Sequence, residues 1–153
     1  MHSLQVVSYV IPLAVLVVLD TNVLVSAIRS RRGASFRVVS LIGGGHFDIA
    51  ISVPLVLEYE DALLRAQPVT SLDEADVRSL LDYVCSVAKR QTIFYLWRPL
   101  ARDPKDDMVA ELAIAAGAYA IVTHNLRDFA PVADLGQRVI TPHQLLRETG
   151  TLP

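Results

Sequence analysis

Six residues, Ala14-Val-Leu-Val-Val-Leu19, run without polar interruption into Asp20-Thr21-Asn22. A short run rich in β-branched side chains that stops at a turn signal has the character of a strand buried on both faces. Strands of that kind belong to parallel sheets covered by helices. The rest of the chain supplies the partners such a strand needs. Helical patterns run from Asn22 to about Ile28, from Ala34 to about Leu41 before Gly43-Gly44-Gly45, and from Pro54 through Leu64. Ser71-Leu-Asp-Glu74 reads as a capping box for a helix ending near Ala88, Asp103-Pro104 starts a helix running to Ala116, and Thr141-Pro142 caps a last one to about Thr149. Between them, Phe47–Ser52, Thr92–Leu96, Ala118–Thr123 and Arg138–Ile140 read as strands. The alternation predicts an α/β fold, a three-layer α/β/α arrangement with a mainly parallel sheet of about five strands. A single domain over residues 14–150 is expected, with residues 1–13 as an N-terminal extension.

The stretch from Ser3 to Leu19 lacks charge and approaches the ~17 residues a membrane span requires. Ser8 and Pro12 interrupt it, it leads without a linker into Asp20, and it lacks the basic leader of a secretory signal, so neither a span nor a signal is expected. Residues Met1–Pro12 are left as a loose tail, an extra edge strand or the product of an upstream start codon. The single cysteine, Cys85, excludes an internal disulfide framework and fits a small core residue of a cytoplasmic protein. With 14 basic against 16 acidic residues the net charge is −2, so any contact with nucleic acid must rely on a local device rather than on a basic surface.

In a parallel α/β sheet, ligands bind at the carboxyl ends of the strands, which directs attention to the acids placed there. Asp20 follows the first strand and suits a helix N-cap as well as a cation ligand. Glu58, Glu60 and Asp61 sit on one helix. The stripe of Leu55, Val56, Tyr59, Ala62 and Leu63 leaves both glutamates at its edges and Asp61 facing away, and helical phase does not choose between the glutamates; a solvated acidic face is the more frequent explanation for such a triplet. In Asp103-Pro104-Lys105-Asp106-Asp107, phase puts Asp106 at the margin of the Val109, Leu112, Ala113 and Ala116 stripe, Asp107 and Glu111 on the outward face, and Asp103 at the N-cap. Asp128 follows the fourth strand in Val122-Thr123-His124-Asn125-Leu126-Arg127-Asp128. Acids that converge repel one another unless a cation is present, and oxygen-only ligands point to Mg²⁺ or Mn²⁺ rather than zinc. His46, His124 and His143 have no zinc spacing, and His124 reads as a solvated turn residue.

The strand ending in Asp20-Thr-Asn, the Glu58-Tyr-Glu-Asp helix, the Asp103-Pro-Lys-Asp106 helix start and the Val122-Thr-His-Asn-Leu-Arg-Asp128-Phe turn together resemble the PIN-domain ribonucleases. The likeness is greatest to the toxin components of bacterial toxin-antitoxin pairs, and it spans about Leu16 to Leu146. It implies an acidic quartet of Asp20, Glu58, Asp106 and Asp128 as metal ligands and catalytic residues, with Asn22, Thr123 and Asn125 as supporting polar residues. Many relatives carry an acid where this chain has Asn125, which leaves the number of metals open between one and two. The implied activity is Mg²⁺- or Mn²⁺-dependent hydrolysis of RNA phosphodiester bonds, with an antitoxin as partner and a homodimer or higher homo-oligomer as the assembly.

Arg29, Arg31 and Arg32, with Arg37 beyond them, are the expected substrate-binding cluster, because phosphate contacts need only local positive charge. Setting the four acids aside moves the balance from −2 to +2, so the acidity belongs largely to the proposed site. Two other readings compete. A haloacid-dehalogenase-like phosphohydrolase also places Asp after its first strand but wants a second Asp two residues on, where this chain has Asn22. A receiver domain wants a late lysine, and the only lysines are Lys89 and Lys105. A non-catalytic PIN-like module that binds RNA or protein is the remaining alternative.

Overall fold

The computed structural model describes residues 14–93, 101 and 103–152. Val15–Leu19 forms β1, and its last three residues are wholly enclosed, as a β-branched run covered on both faces requires. Asp20 ends it, and α1 (Thr21–Arg29) and α2 (Ala34–Ser40) follow. β2 (Phe47–Ile51) leads into α3 (Val53–Ala66), where the Ser52 hydroxyl accepts a hydrogen bond from the Leu55 amide and Pro54 occupies the first turn. A 3₁₀ turn at Gln67–Val69 separates α3 from α4 (Glu74–Val87), and β3 is the pair Lys89–Arg90. Then come α5 (Pro104–Ala116), β4 (Ala120–Val122), a 3₁₀ turn at Leu126–Phe129, α6 (Ala130–Asp134), β5 (Val139–Ile140) and α7 (Pro142–Glu148). Gly117 closes α5 in the left-handed conformation at φ 62°, where a side chain would be strained.

Among the described residues five strands pair in the order β3-β2-β1-β4-β5, all parallel, giving the expected α/β fold. β1 lies at the centre, with Val17 opposite Ile49 on one side and Ala120 on the other, and Leu19 opposite Val122. From β1 the chain moves outward through β2 to β3, then returns to build β4 and β5 on the other side. The direction of winding therefore reverses between β1 and β4, and a crevice opens at the carboxyl ends of strands at such a reversal. Asp20 and Thr123 are the first residues past these two strands. The Asp20 amide still donates to the Val122 carbonyl at 2.9 Å, so the rim of the crevice is tied to the sheet.

Three local expectations shift. The third strand is Lys89–Arg90 rather than Thr92–Leu96; Thr92 and Ile93 have no regular structure, and the remainder of that span falls outside the described residues, as does the extension at 1–13. The capping box of α4 is Asp73 with Asp76, not Ser71 with Glu74. Gln67 Nε2 donates to the Leu72 carbonyl and the Leu72 amide donates to Thr70 Oγ1, which holds residues 70–72 in the preceding turn and delays the helix. Asp107 and Glu111 are each 3 % exposed and do not face outward. α5 lies on β1, β2 and β4 and also touches α3, so it has little free surface; Asp107 Oδ1 accepts from the Ala101 amide at 2.8 Å.

Tyr59, on the buried stripe of α3, donates its hydroxyl to the Leu19 carbonyl at 2.5 Å, and burial holds its phenol well above the ordinary pKa. Tyr59→Phe keeps the ring but strips a partner from a buried carbonyl next to Asp20. We expect a loss of about 1–2 kcal/mol, read as a lower midpoint in thermal unfolding followed by circular dichroism.

Candidate active site

The carboxyl ends of β1 and β4 are joined through one hydroxyl. Thr123, fully buried just past β4, donates Oγ1–H to Asp20 Oδ2 at 2.7 Å. Its oxygen accepts from Asn22 Nδ2 at 3.3 Å and from the Asn125 amide at 3.0 Å. A hydroxyl has one proton to give and two lone pairs, so all three capacities are used. Asn22 in turn accepts the His124 amide on Oδ1 at 3.4 Å. Asp20, Asn22, Thr123 and Asn125, all singled out in the sequence, are thus joined in one network across the gap between the two strands.

The Asp20 carboxylate does not cap α1: its geometry is that of an N-cap, but no side-chain capping bond forms. Burial raises its pKa, with the Asp128 carboxylate adding to the rise. Hydrogen bonds from Thr123 and the Thr21 amide, and the nearby His124, oppose it. Asp103 caps α5 as expected, accepting from the Lys105 amide at 2.9 Å. Asp106, in the first turn of that helix and half-buried, is pushed up to about 7, first by burial and then by the carboxylates of Asp20, Asp128, Asp103 and Asp107. Asp128, half-buried in the turn after β4, acts on both Asp20 and Asp106. These three acids come from three separate stretches of chain and share one electrostatic neighbourhood.

Glu58 is not among the charges that act on Asp20 or Asp106; it lies on α3 with Oε1 4.0 Å from Arg65. Its side chain is 18 % exposed against 45 % for Glu60, which faces Arg78 at 3.8 Å, so Glu58 is the more inward of the two. Arg29, Arg31 and the neighbouring Ser30 line an open groove of ≈ 760 Å³ with Phe36, Leu72 and Tyr83, and Arg32 is exposed on the same turn. Cys85 is free, part-buried and packed on the core.

Sequence reasoning missed Ser35. This buried residue of α2 has its hydroxyl 2.5 Å from His124 Nε2, so His124 is not a simply solvated turn residue. No local pattern announces a contact between residues 89 positions apart. Among the described residues no three His, Cys, Asp or Glu side chains are arranged to hold a metal ion. In donor chemistry, Asp20, Asp106 and Asp128 fit a hard divalent cation: all three offer oxygens, and neighbouring carboxylates add to the rise that burial causes in the Asp106 pKa.

Comparison with solved structures finds similar folds. VapBC2 from Rickettsia felis, in a crystal structure bound to a DNA fragment from their promoter, is 19 % identical with a TM-score of 0.55, over 82 % of this chain and 98 % of that one. PAE2754 from Pyrobaculum aerophilum is 19 % identical with a TM-score of 0.59, over 93 % of this chain and 95 % of that one. A comparison with curated proteins finds no match. Residues 16–127 match the family model of the PIN domain, a span that begins inside β1 and ends one residue before Asp128, and the chain therefore belongs to the PIN-domain family.

Proposed function

We propose that the protein is an endoribonuclease that hydrolyses RNA phosphodiester bonds with Mg²⁺ or Mn²⁺, and that it acts as the toxin of a toxin-antitoxin pair. The observation that carries this reading is the electrostatics past the ends of β1 and β4, where Asp128 raises the pKa of Asp20 and both carboxylates add to the rise that burial causes in Asp106. Membership of a family whose members are typically nucleases supports it.

Asp20, Asp106 and Asp128 would hold the cation, with Glu58 completing the set if α3 and its side chain turn toward the cleft. A bound divalent ion supplies activation of a water and neutralisation of charge in phosphodiester hydrolysis. The chain's own residues do the rest. Thr123 fixes the Asp20 carboxylate and opposes the rise in its pKa that burial causes. Asn22 and Asn125 lock the Thr123 hydroxyl in the one orientation that points its proton at Asp20. The Arg29–Arg32 turn offers phosphate contacts that carry no base information, so RNA binding is weak in salt.

The fold likeness to VapBC2 supports an antitoxin as partner. Val53 and Leu57, 75 % and 61 % exposed at the start of α3, offer an apolar face for a homodimer or higher homo-oligomer. Among the described residues no helix is long and apolar enough to cross a membrane, and action in the cytoplasm belongs to the same proposal.

The test is incubation of purified protein with single-stranded RNA and Mg²⁺ or Mn²⁺. We expect cleavage that EDTA stops and that Asp20→Asn removes. Cleavage indifferent to EDTA and to Asp20→Asn would overturn the metal-site assignment. RNA or partner binding without cleavage at any metal concentration would favour the non-catalytic module.

A further inference from the structure

Ser35 is the second residue of α2 and is 1 % exposed. A serine hydroxyl near a helix start ordinarily turns to the local backbone. This one reaches His124 Nε2 at 2.5 Å. His124 is itself exposed, follows Thr123 directly, and has its amide on Asn22 Oδ1. Two tethers therefore fix it, one on the main chain and one on the ring, at the rim of the carboxylate crevice. The same bond ties the start of α2, immediately after the exposed Arg31-Arg32-Gly33 turn, to that rim.

The direction of the Ser35–His124 bond follows from the inventory of partners. The Ser35 hydroxyl has no other hydrogen bond among the described residues, and no buried side-chain polar atom there is left without a partner. If Nε2–H were the donor, the Ser35 proton would be buried and unpaired, which folded proteins avoid. Ser35 therefore donates, Nε2 accepts, and the neutral ring carries its proton on Nδ1. Nδ1 makes no hydrogen bond among the described residues. In the imidazolium form Nδ1 also carries a proton, so this position offers an N–H in either charge state. A metal ligand needs a lone pair there, and this tautomer does not provide one.

We propose that His124, oriented by Ser35, is a substrate-binding residue whose Nδ1–H donates to a non-bridging phosphate oxygen of the RNA strand next to the bond to be cut. Ser35 is its positioning residue. The strand then runs from the Asp20–Asp106–Asp128 crevice over His124 toward the Arg29–Arg32 turn. This rests on the nuclease reading for its substrate class.

Three measurements on the full chain test it. In metal-free protein, ring ¹⁵N shifts of His124 should report the Nδ1–H tautomer, and Ser35→Ala should convert this to a mixture while Ser35→Thr restores it. Fluorescence anisotropy with a labelled single-stranded RNA should show affinity about tenfold weaker for His124→Ala and about threefold weaker for Ser35→Ala, the size expected for one charge-assisted bond lost or loosened. In cleavage assays with Mn²⁺ the same substitutions should raise KM by similar factors and change kcat by less than about threefold. An Nε2–H tautomer in the parent protein, or unchanged RNA affinity in His124→Ala, overturns the proposal. Loss of RNA binding in His124→Ala without cleavage by the parent protein leaves the histidine role standing and removes the nuclease reading. Normal cleavage with unchanged KM in His124→Ala does the reverse, and an absence of both RNA binding and cleavage overturns the two together.

Discussion

Replacing Asp106 with asparagine is expected to cut metal-dependent cleavage by a factor on the order of 10² to 10³ while raising the thermal stability of the metal-free protein. The two effects have one cause. In the folded, metal-free chain Asp106 is held at about 7 by burial and by four neighbouring carboxylates, against an ordinary value of 3.8. The native state thus binds this proton more tightly than the unfolded chain does. Below about pH 4 both states hold it and Asp106 costs nothing; as pH rises from 4 to 7 the unfolded chain releases it first, and stability falls. Partial solvent access screens the repulsion, so the penalty at pH 8 is on the order of 1–2 kcal/mol, or roughly 2–6 °C in the unfolding midpoint. Asp106→Asn removes that penalty and the ligand together. Differential scanning calorimetry at pH 8 and pH 4 checks the first half: the variant should melt higher than the parent at pH 8, with little difference at pH 4. A lower midpoint at pH 8 would show that Asp106 is paired rather than repelled. The same proton competes with the cation, so the apparent affinity for Mn²⁺ should rise by up to about tenfold for each pH unit below 7 and level off above it. An affinity flat from pH 5.5 to 7 would place the metal elsewhere.

The parts of the site that the sequence discloses are those governed by neighbouring residues. A β-branched run fixes β1, and the turn that ends it delivers Asp20; an acid ahead of Pro104 fixes the start of α5, with Asp106 one turn in. What the sequence leaves dark depends on residues far away. Asp107 and Glu111 look outward by helical phase, yet α5 packs on the sheet and on α3, and Ala101 bonds to Asp107, so these two acids are buried. β3 is two charged residues at the edge of the sheet among the described residues, where pairing with β2 on one side suffices. No apolar pattern marks such a strand. The pairing of Ser35 with His124 and the central position of Thr123 arise only after β1 and β4 are neighbours, and strand order is settled by packing rather than by any local run.

Thr123→Val should be nearly as damaging as the loss of a ligand, although Thr123 need not touch the cation. Valine matches the shape of threonine, so the change isolates the hydroxyl. That hydroxyl gives its only proton to Asp20 Oδ2 at 2.7 Å and takes hydrogen bonds from Asn22 Nδ2 and the Asn125 amide. Of the influences that hold the Asp20 pKa down, the Thr123 bond is the largest. Without it, burial and the Asp128 carboxylate act with less opposition, and Asp20 keeps its proton to higher pH. Residues that orient a metal ligand typically contribute 10- to 100-fold in affinity or activity, and that is the loss expected here for Mn²⁺ binding and cleavage at pH 7. The sign of the pH effect separates this from simple misfolding: cation binding requires ionised Asp20, so the acid limb of the pH–rate profile should move to higher pH and part of the lost activity should return under alkaline conditions. Unfolding should cost about 1–3 kcal/mol, because Asn22 and the Asn125 amide lose an acceptor in a part-buried setting. Thr123→Ser, which keeps the hydroxyl and loses only a methyl group, should retain the parent acid limb. An acid limb unmoved in Thr123→Val would mean that Thr123 fills space and does not set the charge of Asp20. Combining Thr123→Val with Asp20→Asn then measures the coupling, and cleavage no lower in the double variant than in Asp20→Asn alone would show that the two side chains act as one unit.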